Sequence, residues 1–207
     1  MTSENQDALG KNISSAISST KKLPFNLQIN TEPKYYDQAE KMVNVFVNSF
    51  DDITYKFDFE QALADAKKYT TMAVVGTINK TVHQSQATCS AAADVVKKII
   101  EETLQEAGIS KPVELVADVI NAFNNLANEK ANPWFHIISS TSNQTVYQYS
   151  IFYVLQDEST GSVMLGSPVA LEVSVGVDEH TLLHDITHRK TTYEIKVQGL
   201  TIIEPLE

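Results

Sequence analysis

Three of the chain's five histidines fall in the stretch "HTLLHDITH", at His180, His184 and His188. On a helix, spacing by four stacks side chains on one face, and three stacked imidazoles would suit a transition metal. On a strand the same residues also share a face, but each step of four covers about 13 Å. Three imidazoles spread over about 26 Å cannot close on one ion whose metal–nitrogen bonds are about 2 Å long. The flanking links "VDE" and "RK" are short, Thr181, Ile186 and Thr187 are β-branched, and no helix cap or stop stands out. These features predict a strand. Its face of His180, Leu182, His184, Ile186 and His188 reads first as a solvated or half-covered surface. The second reading is a pH-sensitive face that gains charge below about pH 6.5. A metal site is the least favoured.

Other chemistry is sparse. The chain has no "GxSxG", "HExxH", Walker loop or "GxGxxG", and seven glycines leave little for a phosphate-cradling loop. Cys89 precedes a predicted helix, whose N-terminal dipole can lower a thiol pKa. A buried, inert thiol is the first reading, with an acylation site or reactive thiol behind it. No spacing of Asp and Glu singles out an acid/base pair, so neither an enzyme nor a cofactor is expected. The formal net charge of -10 argues against nucleic acid and against electrostatic capture by anionic lipid, but not against zwitterionic lipid. A single cysteine allows no internal disulfide. The first residues lack a basic start followed by an apolar run, and no stretch approaches the roughly 20 apolar residues of a membrane-spanning helix. The expectation is a soluble product released without a signal peptide.

The elements that would position any site follow from periodicity. Residues 1–22 are polar and read as a flexible leader and candidate propeptide, with dibasic Lys21-Lys22 a candidate cut site for activating proteases. Residues 23–207 read as one domain. "FNLQINT" alternates as a short strand. "YDQAEKMVNVFVNSF" is an amphipathic helix, and a second starts at Asp58, with Gln61 completing a capping box. "TTMAVVGTINKTV" (70–82) reads as a strand. A helix over 90–107 ends at Gly108, and another starts near Pro112, the pair forming a helical hairpin. From Trp134 onward the pattern is that of an antiparallel meander.

In "TVYQYSIFYVLQ" one face carries Tyr147, Tyr149, Ile151, Tyr153 and Leu155, and the other Val146, Phe152 and Val154. Apolar residues on both faces predict cover on both faces. The expected architecture is therefore a single-domain α/β (α+β) fold of three layers: a long antiparallel sheet flanked by two helical hairpins. A membrane-crossing strand needs about 9 to 11 residues. Segments 145–156, 162–177 and 191–203 are long enough. Their inserting residues would be Tyr147, Tyr149, Ile151, Tyr153, Leu155, Val163, Leu165, Val169, Leu171, Val173, Tyr193, Ile195 and Val197. The hairpin over 90–128 would have to detach, exposing Val95, Ile99, Val116, Ile120 and Phe123. Strands in lipid must then close edge to edge, which implies oligomers.

"NQTVYQYSIFYVLQDESTGSVMLGSPVALEVSV" (143–175), the upstream "VINAFNNLANEK" and the downstream "YEIKVQGL" resemble the cytolytic δ-endotoxins, the Cyt toxins of insect-pathogenic bacilli. The resemblance covers about residues 35–205, and a fungal pore-forming cardiotoxin shares the fold. It implies two helical hairpins around one sheet. It also implies a toxin that binds zwitterionic, unsaturated phospholipid directly, oligomerises on the membrane and permeabilises it. Discrete pores and detergent-like action both stay open. Related protoxins are trimmed by proteases at both ends, and some exchange an N-terminal strand within a solution dimer. Here the chain stops at Glu207, so removal of a C-terminal extension is expected to be unnecessary. The histidine series has no counterpart in the resemblance. The alternative function is a non-lytic lipid-binding virulence protein on the same fold, with Cys89 as its candidate for acylation.

Overall fold

Alternation within long strands decides the plan of the molecule, seen in a computed structural model that describes residues 22–109, 115–157 and 162–207. The strands are β1 (Asn26–Asn30), β2 (Ala73–Ala87), β3 (Phe135–Ser140), β4 (Thr145–Asp157), β5 (Val163–Val175) and β6 (Thr191–Pro205). The helices are α1 (Tyr36–Phe46), α2 (Phe59–Lys67), α3 (Cys89–Glu106), α4 (Leu115–Asn124), α5 (Leu126–Glu129) and α6 (Glu179–His184). The strands form one sheet in the order β1-β4-β5-β6-β2, with β3 also paired to β4. The pairs from β3 through β6 are the antiparallel meander expected from sequence, and β2 runs antiparallel to β6. The edge of β4 is shared. β3 lies opposite its first half, and β1 lies parallel to its second half, with Asn26 facing Ile151.

The two faces of the sheet carry separate cores. On the tyrosine face, Tyr147, Tyr149, Tyr153 and Tyr193 are buried with Ile151, Leu171 and Ile195 beneath α3, α4 and α6. On the phenylalanine face, Phe152, Val154, Met164, Leu200 and Ile202 are buried beneath α1 and α2. There Phe152 meets Phe25 and Phe46, with ring centroids 5.1 and 5.7 Å apart. The helices therefore sit on both sides of the sheet, as the three-layer expectation required.

Local signals explain the helix ends. Asp58 caps α2 by accepting from the Gln61 amide at 2.9 Å. Thr88 caps α3 by accepting from the Ala91 amide, and Gly108 closes it with φ 84°, a left-handed conformation that costs glycine nothing. The leader up to Lys21, the turn "ESTG" and Pro112 lie outside the described residues.

Three expectations need correction. "HTLLHDITH" is not a strand: Glu179–His184 is helical and Ile186–His188 is a 3-10 turn. The Asp178 carboxylate starts this helix by accepting from the amide and hydroxyl of Thr181, at 2.9 and 3.0 Å. Leu182 and Ile186, four residues apart, then both bury against the tyrosine-face core. That shared anchoring outweighs the weak strand preference of Thr181, Ile186 and Thr187.

Cover on the phenylalanine face is also incomplete. α1 and α2 shelter only the end of the sheet built from the second half of β4, the first half of β5, the second half of β6 and the start of β2. Beyond it Gln144, Glu194 and His83 are exposed, while Val146, Glu172, Ser174 and Lys196 are half-buried. Finally, β2 continues through "HQSQA" to Ala87 and equals β6 in length, at 15 residues.

Candidate functional site

The feature with functional reach is the tyrosine face and its helical cover. Four strands of 13 to 15 residues build the sheet beneath it. At about 3.3 Å per residue, each is longer than the hydrocarbon thickness of a bilayer, about 30 Å. Tyr147, Tyr149, Ile151, Tyr153, Leu165, Val169, Leu171, Val173, Tyr193, Ile195 and Val197 are all at most 1% exposed and share one core. Leu155 packs partly buried at its edge, whereas Val163, at the first position of β5, is only half-buried.

The cover is apolar where it touches. From α3, Val96, Ile99, Ile100 and Leu104 enter the core with Val95 at the margin. From α4, Val119, Ala122 and Phe123 enter it with Ile120 at the margin, and the Phe123 ring lies 6.3 Å from that of Tyr193. Val116 is on α4, but its side chain lies outside what the structure describes. One phenol ties the layers directly: the Tyr147 hydroxyl donates to the Ala122 carbonyl at 2.8 Å. The Tyr193 hydroxyl is buried without a hydrogen-bond partner among the described residues. Burial pushes both phenols up from their ordinary pKa, so each stays a neutral hydroxyl.

The other candidate residues do not join this site. The rings of His180 and His184 lie 4.9 Å apart on α6, so the helical stacking rejected on strand geometry does occur for this pair. His188 belongs to the next turn, and all three histidines are exposed to solvent. Among the described residues nothing covers them, and no group of three His, Cys, Asp or Glu is arranged to hold a metal. Cys89 is buried at the start of α3, and burial pushes its thiol up, which disfavours the thiolate that a nucleophile requires. Lys22 is exposed at the first described position, while Lys21 lies outside the described residues. Among the described residues no helix is long and apolar enough to cross a membrane.

The sequence predicts β2 as a strand over 70–82 but leaves it out of the membrane-length set, and its polar continuation to Ala87 is marked only by the alternation of Val82 and Gln84 with exposed neighbours.

A single α/β unit with a long sheet clamped between helical layers is the architecture of the cytolytic δ-endotoxins. The chain belongs to the family described as Bacillus thuringiensis toxin, whose model matches residues 4–207. It is 32% identical over 186 residues to the Type-2Aa cytolytic delta-endotoxin of Bacillus thuringiensis subsp. kyushuensis, covering 88% of this chain and 71% of that one. It is 32% identical over 187 residues to the Type-2Ba toxin of subsp. israelensis, covering 88% and 70%. In three dimensions it is similar to the activated Cyt2Ba monomer from subsp. israelensis. The TM-score is 0.81 and the identity 30%, across 89% of this chain and 99% of that one.

Proposed function

We propose that the protein is a cytolytic toxin that permeabilises membranes by binding phospholipid directly, swinging α3 and α4 off the sheet and inserting its long strands. The observation that carries this reading is the tyrosine face: strands longer than a bilayer core needs, buried beneath a cover held almost entirely by apolar contact. Apolar contact has no directional partner to lose, so hydrocarbon chains can replace the helices at little cost. The bonds of β4, β5 and β6 to one another survive the exchange, while the edge of β2 must pair with another copy in lipid. This supports oligomers on the membrane. The soluble form would be released without a signal peptide, and cleavage after Lys21 or Lys22 would free the domain from its leader.

The test is dye release from phosphatidylcholine vesicles by the full chain, before and after trypsin. Release at micromolar protein or below is expected. Tight vesicle binding with no release under either condition would favour the non-lytic reading, and neither binding nor release would contradict both.

A further inference from the structure

Where the strands leave the shelter of α1 and α2, a groove of about 470 Å³ opens between the loop 50–58 and the open half of the phenylalanine face. Its walls include Lys56 and Asp58 from the loop, Glu60 from α2, and Lys196 and Gln198 from β6. Among the described residues neither lysine ammonium forms an ion pair, although six other lysines do. Lys196 lies opposite Glu172 in the sheet register, and Glu172 lines the adjoining recess.

The loop is built to hold its shape. The Asp51 carboxylate accepts from the amides of Ile53 and Thr54 and from the Thr54 hydroxyl, at 2.9, 2.6 and 2.9 Å. Phe50 and Phe57 bridge its base with rings 5.0 Å apart, and the Gln148 side chain donates to the Thr54 carbonyl. Tyr55 takes a positive φ of 55°, a conformation that side chains other than glycine adopt only where the surroundings enforce it. At the tip stands Ile53, 85% exposed. Single exposed apolar residues are common on protein surfaces. This one differs in being presented by a fixed loop above a groove that holds two unpaired ammonium groups.

We infer that this loop and groove make the first contact with lipid: Ile53 enters the bilayer interface, while the groove takes one zwitterionic phospholipid headgroup, its phosphate on Lys56 and Lys196 and its ammonium turned to Asp58 and Glu60. The charge pattern selects that ligand. A net charge of -10 opposes approach to an anionic surface, whereas a groove bearing both signs matches a headgroup bearing both. The inference rests on the proposed membrane activity and adds to it a site of entry on the sheet face opposite the cover that detaches. Docking through the phenylalanine face leaves α3 and α4 free to move.

Vesicle co-sedimentation with phosphatidylcholine tests it, using the full chain, Ile53→Asp, and the double variant Lys56→Gln with Lys196→Gln. Lys34→Gln with Lys130→Gln matches the double variant in net charge and serves as the control. Binding should weaken about tenfold in each test variant, equivalent to about 1.4 kcal/mol, and stay unchanged in the control. An Ile53→Cys variant carrying a polarity-sensitive fluorophore should shift to the blue on vesicles before dye is released. Wild-type binding and release matched by the test variants would overturn the inference and leave the proposed function standing. Groove variants that lose affinity only for inorganic phosphate, with vesicle binding unchanged, would mark a small-anion site and overturn it too. A wild-type chain that neither binds nor lyses vesicles would overturn both readings.

Discussion

The two helical layers rest on opposite faces of the same strands, but different forces hold them. α3 and α4 cover the tyrosine face through a broad apolar contact, with Tyr147 to Ala122 the one phenol tie to the cover. α1 and α2 cover one end of the opposite face and add directional pins to the sheet. The Gln38 amide donates to the buried Glu204 carboxylate at 3.1 Å and to the Pro205 carbonyl at 2.7 Å. The Thr71 hydroxyl also donates to Glu204; within the layer itself, the carboxylate of Asp65 gathers Ser49, Gln61 and Lys68. Buried hydrogen-bonded groups lose their partners when a layer lifts into hydrocarbon, and each unpaired group then costs about 1–3 kcal/mol. A mostly apolar layer carries little of that penalty. The layer held by apolar contact is therefore the one that lipid can displace.

Matched cavities in the two covers should have the largest effect. Phe123→Ala on α4 and Phe46→Ala on α1 each remove a fully buried ring and should each cost about 3–5 kcal/mol in denaturant unfolding. Only Phe123→Ala should speed dye release per folded molecule. Equal acceleration by both would erase the distinction between the covers.

Glu204→Ala comes next. It removes one of the two acceptors of the Gln38 amide and the acceptor of the Thr71 hydroxyl, so hydrogen exchange should show α1 opening more readily by about 1–3 kcal/mol, with α3 unaffected.

The tyrosines sharpen the other side of the comparison. Tyr193→Phe removes a buried hydroxyl that has no partner and should stabilise the fold by about 1 kcal/mol while slowing release. Tyr147→Phe leaves the Ala122 carbonyl unpaired and should do the opposite by a similar amount. Thermal melts and release rates together check both.

Acid should act on the pinned layer first. Burial pushes the Asp65 carboxyl up, but hydrogen bonds from Lys68, Gln61 and Ser49 outweigh it and leave its pKa below the ordinary carboxylate value. Its contribution is therefore fully present above the unfolded value of about 3.9 and is lost as pH falls through the lower folded value. In Asp65→Asn, stability between pH 5 and 3 should fall less steeply than in the wild type, which an unfolding series across that range would show.

What the sequence made legible was local. The alternation in "TVYQYSIFYVLQ" assigned Tyr147 and Phe152 to opposite faces, and both landed in separate cores. Asp58 and Gly108 marked helix ends because each signal lies within one turn of its effect. The parallel pairing of β1 with β4 joins residues more than a hundred positions apart, and no local pattern announces it. The open half-face was readable in part: Glu172, Ser174, Glu194, Lys196 and Gln198 alternate with apolar residues and call for solvent on one side. The histidine stretch failed for a specific reason. "VDE" was taken as a bare hairpin link, which hid the Asp178 cap and the four-residue spacing of Leu182 and Ile186. The groove beside Lys56 and Lys196 escaped entirely, since it joins a loop to a strand distant in sequence.

The most direct test is a pair of reversible locks. A Cβ built on Gly76 would lie 3.0 Å from the Thr103 methyl on α3, and one built on Gly166 would lie 3.0 Å from Cγ of Met42 on α1. A cysteine sulfur at either γ position would lie about as far from the built Cβ as the far sulfur of a disulfide does, so both pairs can be bridged. Gly76→Cys with Thr103→Cys, once oxidised, should bind vesicles but release no dye, and reduction should restore release. Gly166→Cys with Met42→Cys should release dye in both redox states. Full release from the oxidised 76–103 lock would show that α3 need not leave the sheet and would contradict the proposed mechanism.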